Sequence, residues 1–162
     1  MKSLLLTAAI AVLLSMPAIA GEKITGSTMD YQIISETNVA WSGHTIKQVS
    51  STWKGTSPNP NWGQWSVTAV EQHDIVGPDT VTRNWGTQHH ANGDLAFFTC
   101  EGTTKVTPKE AGAFDGVAQG KCLWTGGTGK FKSLKGPATY SCKFTQSSGG
   151  CDFQGDVEYS GM

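Results

Sequence analysis

Charge is scarce in this chain. Lys, Arg, Asp and Glu make up 15% of its 162 residues and nearly cancel, leaving a formal net charge of −1. Without a basic excess the chain lacks the electrostatic footprint of a nucleic-acid or anionic-membrane binder. Helical periodicity is missing too, since no stretch from Gly21 onward repeats its apolar residues at helical spacing. There is no C-x-x-C and no close Cys/His pair, which removes the usual zinc site. A G-x-S-x-G elbow and a recognisable pair of catalytic carboxylates are also absent, so nothing points to hydrolysis or to any cofactor. The glycines of Gly127–Phe131 fail as a phosphate loop, because Phe131 follows Lys130 where Ser or Thr is needed. No repeat, low-complexity tract or linker interrupts the chain.

The only long apolar run is Leu4–Leu14, well short of the ~20 residues that span a bilayer. It follows Lys2 and precedes Pro17-Ala18-Ile19-Ala20, the pattern of a secretory signal peptide cut after Ala20. Residues 1–20 are therefore expected to be lost, leaving residues 21–162 as one secreted or periplasmic domain with no membrane attachment. All four cysteines (Cys100, Cys122, Cys142, Cys151) lie in that part. An even count in an exported chain reads as two disulfides, with three connectivities open.

Alternating segments separated by Gly, Pro and Asn predict eight strands: 30–39, 44–53, 64–73, 80–90, 94–106, 116–125, 138–145 and 152–159. Strands this short and evenly spaced indicate an all-β antiparallel barrel or sandwich. Asn92-Gly93 predicts a two-residue hairpin turn, in which facing residues have numbers adding to 185. That register sets Trp85 against Cys100, Thr87 against Phe98 and His89 against Ala96. A Cys100–Cys122 bridge centres the next connection on Ala111 and pairs Phe98 with Trp124 and Glu101 with Lys121. A Cys142–Cys151 bridge centres its hairpin between Gln146 and Ser147 and pairs Tyr140 with Phe153. Aromatics then meet aromatics and opposite charges meet, as a real antiparallel pairing requires, so these two bridges are the predicted connectivity.

From Gly93 to Tyr140 the chain carries Gly93-Asp94, then Gly126-Gly127-Thr128-Gly129-Lys130-Phe131, then Gly136 before Ala138-Thr139-Tyr140. In these residues it resembles bacterial secreted relatives of the allene oxide cyclase and dirigent barrels. The resemblance implies an eight-stranded, calycin-like barrel. Pro137 departs from the pattern, in which a small residue is usual. The glutamate and cysteine of the plant cyclase pocket match no motif here, so no catalytic residue is carried over.

The aromatic face derived from the hairpins should point into the barrel, because Glu101 and Lys121 occupy the other face. Trp85, His89, Phe98 and Trp124 are accordingly the candidate ligand-binding residues. His89 and His90 are neighbours on one strand and point to opposite faces, so no metal site is assigned. Of the six tryptophans, those inside either fill a small barrel or line a lumen for a flat apolar molecule; both readings stand. Three functions follow. The leading one is a binding barrel for a small, largely apolar ligand. The others are a cyclase or isomerase, which needs an ionisable group in the lumen, and an interaction module using the aromatic segment 53–65. Outward Phe97 and Leu123 leave a homo-oligomer open.

Overall fold

A computed structural model describes residues 21–145 and 148–159 of the chain. Residues 1–20, where a signal peptide is expected, and residues 146 and 147, where the second hairpin is expected to turn, lie outside these residues. The fold is all-β: β1 (Glu22–Trp41), β2 (His44–Thr56), β3 (Gln64–Val76), β4 (Asp79–His90), β5 (Leu95–Pro108), β6 (Phe114–Gly127), β7 (Gly136–Thr145) and β8 (Gly149–Val157). Each strand runs antiparallel to the next, and β8 returns to β1 to close a barrel. β1 starts at Glu22 rather than Asp30 because residues 22–28 supply that closing contact with β8. The expected loop around Ala111 is a single 3-10 turn, Glu110–Gly112.

The barrel is strongly staggered. Following residue pairs around it from Thr28 through Cys151, Cys142, Ala118, Thr104, Thr80, Ile75 and Thr45 returns to Ala40, twelve residues further along β1. A stagger of eight serves the tightly filled eight-stranded barrel core, and a larger one tilts the strands further and widens the interior. Inward glycines receive the aromatics of adjacent strands. Gly26 faces Phe153, Gly55 faces Trp65, Gly86 faces Phe98, Gly116 faces Phe144 and Gly120 faces Tyr140. A Cβ at any of these five glycines would lie within 2.6 Å of the facing ring. The rings therefore lie along the wall instead of across the lumen.

Both disulfides form as predicted, Cys100–Cys122 and Cys142–Cys151. Phe98 faces Trp124, Glu101 faces Lys121 and Tyr140 faces Phe153, as expected. The β4–β5 register does not hold. Its numbers add to 184: Trp85 faces Thr99, Gly86 faces Phe98 and His89 faces Leu95. The cause is the turn. His90 N–H donates to Asp94 O at 3.0 Å and Gly93 N–H donates to His90 O at 3.0 Å, so the loop has three residues, Ala91-Asn92-Gly93. Gly93 takes φ 85°, which makes this a type I turn ending in a glycine bulge. Moving the register by one residue turns the whole of β4 over. Trp85 and His89 thus leave the interior, while His90 and Gln88 enter it and are buried.

Candidate functional site

One end of the barrel is plugged. The 57–63 loop drives Trp62 into it, where the ring is 2% exposed. Trp62 meets Phe131 at 5.0 Å, Trp124 at 5.2 Å, His90 at 5.9 Å and Tyr159 at 6.2 Å between centroids. His90 Nδ1–H donates to the Trp62 carbonyl at 3.1 Å. Burial holds the His90 pKa below its ordinary value, because a charged imidazolium is poorly solvated there. Glu22 accepts from Asn59 and Tyr159 at the same end and ties the loop to both termini of the barrel. The tryptophans of segment 53–65 therefore belong to the interior: Trp62 and Trp65 are buried and Trp53 is half-buried. Its proposed role as an exposed aromatic patch is corrected accordingly.

The other half of the lumen is built around a carboxylate. On β3 the inward residues run Trp65, Val67, Ala69, Glu71, and Glu71 is only 6% exposed. Its Oε1 accepts the Ser51 hydroxyl from β2 and the Tyr31 hydroxyl from β1, the latter at 2.8 Å. His73 Nε2 lies 3.4 Å from Oε2, while His73 Nδ1 shares a hydrogen with Thr82 Oγ1 at 2.9 Å. Tyr31 reaches inward because β1 bulges between Met29 and Gln32, where Asp30 takes φ 57°. Its ring stacks on Trp53 at 6.0 Å, Trp53 meets Phe98 at 6.4 Å, and Phe98 meets Trp124 at 5.4 Å. A continuous aromatic wall thus leads from the carboxylate to the plug.

Burial alone would push the Glu71 carboxyl up. Hydrogen bonds from His73, Ser51 and Tyr31 outweigh it and hold the group below the usual carboxylate range. The Tyr31 hydroxyl is pushed well above its ordinary value by burial and then by the Glu71 charge. Tyr140, on the β7 wall, is raised by burial and by the same charge. The site therefore holds an ionised carboxylate among neutral hydroxyls and one histidine. Toward this end of the barrel the inward residues Thr45, Ile75, Thr104, Val106 and Phe144 are only half-buried, so solvent reaches the lumen from there.

Of the four candidates read from sequence, Phe98 and Trp124 lie inside, 7% and 5% exposed. Trp85 is half exposed on the outer wall, and His89 Nε2 shares a hydrogen with Thr68 Oγ1 at 3.0 Å there. The Glu71 cluster was missed as a unit. Its signal was available: alternation from Trp65 through Val67 and Ala69 continues onto Glu71 and His73. Among the described residues no group of three or more His, Cys, Asp or Glu could hold a metal ion. No described helix is long and apolar enough to cross a membrane.

No family model matches the chain, and no curated protein does. Its structure is similar to that of a pterocarpan synthase dirigent protein, with a TM-score of 0.36 and 11% identity over 90% of this chain and 89% of that one. This is a likeness of shape, from which nothing about chemistry follows.

Proposed function

We propose that the chain is a secreted or periplasmic barrel that binds one small, largely apolar molecule in its lumen, with Glu71 meeting the polar end of that molecule. The observation that carries this reading is the buried carboxylate held ionised with no Lys or Arg paired to it, Lys47, diagonal to it on β2, pairing with Glu36 instead. Burying a charge costs several kcal/mol, and an apolar side chain of similar size would usually serve stability as well. A carboxylate kept there at that cost suits recognition of a donor, either a hydroxyl or a protonated nitrogen. Phe98 and Trp124 then form the apolar floor, and the open end of the barrel is the entrance. The two disulfides are compatible with life outside the cytoplasm. The test is native mass spectrometry of protein purified from its own periplasm or medium, beside Glu71→Gln. A bound small molecule released by the variant supports the reading, and an empty wild type sinks it.

A second reading is favoured by the same cluster. Glu71, His73, Tyr31 and Tyr140 supply a proton acceptor and three donors inside one lumen, which a cyclase or isomerase would need. Recovery of the co-purifying molecule chemically altered after incubation with wild type, but unaltered with Glu71→Gln, would favour that reading.

A further inference from the structure

The outer wall of β3–β6 carries a row of residues that face one another across four strands: Val70, Trp85, Thr99 and Leu123. Val70, Trp85 and Leu123 are 42%, 51% and 52% exposed, and Phe97 beside them is 36% exposed. A neighbouring row reads Gln72, Arg83, Glu101 and Lys121. Arg83 and Glu101 are direct cross-strand neighbours, yet among the described residues neither they nor Lys121 forms an ion pair. We propose that this face is a two-fold interface between copies of the chain, its axis running along the strands between β4 and β5.

The symmetry makes the argument. Such an axis lays each residue of one copy over the position of its own cross-strand partner in the other, as an isologous contact requires. Arg83 then meets Glu101 of the second copy, and Glu101 meets its Arg83. Val70 covers Leu123, Trp85 covers Thr99 and Phe97 covers Thr87. Further along, Asp79 and Lys105 are also cross-strand partners and exchange in the same sense. No like charges come together on either side of the axis. Sheets packed face to face keep their strands within about 30°, so the central rows touch while the ends diverge. Four strands ~4.8 Å apart and about seven residues of ~3.3 Å give a patch of roughly 440 Å² per copy. Roughly 900 Å² in all lies at the weak end of specific interfaces, as suits a dimer that dissociates on dilution.

Sedimentation velocity on residues 21–162, with disulfides intact, reads this directly over about 1–500 μM. The expected result is a concentration-dependent dimer. Arg83→Glu or Glu101→Arg alone should weaken it at least about tenfold, and Trp85→Ala should do the same. Mixing the two charge variants in equal amounts should restore it, because every Glu then faces an Arg across the axis. All three sites are on the outer wall, and unchanged circular dichroism shows that the barrel is intact. A wild type that stays monomeric throughout, a trimer, or a dimer indifferent to the charge variants would each overturn the proposal. The outcome does not depend on whether the lumen binds anything.

Discussion

Replacing Glu71 with leucine asks whether the lumen cluster is kept for stability or for binding. The carboxylate is the shared acceptor of Ser51 and Tyr31 and the neighbour of His73. Ser51 is 1% exposed, so its hydroxyl is left without an acceptor, at about 1–3 kcal/mol. Tyr31 is half exposed and can turn to water, and His73 keeps Thr82, so these two add little. Relief of the carboxylate's desolvation offsets part of the loss. A net cost of about 2 kcal/mol results, or roughly 6 °C in Tm for a chain of this size. The triple variant Glu71→Leu/Ser51→Ala/Tyr31→Phe removes donors and acceptor together. Replacing a whole buried polar group by apolar residues is often neutral or stabilising, so the triple variant should return to wild-type stability or exceed it. Urea unfolding of the oxidised proteins measures all three. A triple variant at least as unstable as Glu71→Leu would show that the cluster is structural, and the proposed ligand site would lose the observation it rests on.

Gly86→Ala places a Cβ 2.2 Å from Phe98 Cζ, and Phe98 is hemmed in by Trp53 and Trp124, so a loss of about 1–3 kcal/mol is expected on thermal unfolding. Gly21→Ala, whose nearest atom would be 3.9 Å away, should stay within about 0.5 kcal/mol. The folded pKa of His90 lies below 6.5, so the contribution of its neutral ring is complete above that pH and is lost as pH falls through the folded value. Stability followed by urea from neutral pH downward should therefore decline less steeply in His90→Gln. Amino-terminal sequencing of exported material should begin Gly21-Glu22-Lys23, and a retained Met1 would remove the argument for export.

The cysteines made half of the barrel legible. Cys100–Cys122 and Cys142–Cys151 each admit one register, and the aromatic and charged pairs they generate are those observed. Asn92-Gly93 carries no such anchor. The pair suits the centre of a two-residue turn, but it equally suits the last two positions of a three-residue loop, where Gly93 alone needs positive φ. The choice moved Trp85 from the lumen to the outer wall. A check was available in the charges: a sum of 185 leaves Arg83 opposite Gly102, whereas 184 sets it against Glu101 and Asp79 against Lys105. That is the criterion which Glu101 and Lys121 satisfied on the other side of β5, so electrostatic complementarity was a better guide to this hairpin than its turn residues. The stagger of twelve was beyond reach by any such test, because it accumulates over eight strand pairs and no local segment encodes it. Glu71 lay between these cases. Its face followed from the alternation of β3, but its companions Tyr31 and Ser51 stand 40 and 20 residues away, and only the pairing of β1, β2 and β3, with the bulge that turns Tyr31 inward, brings the three together.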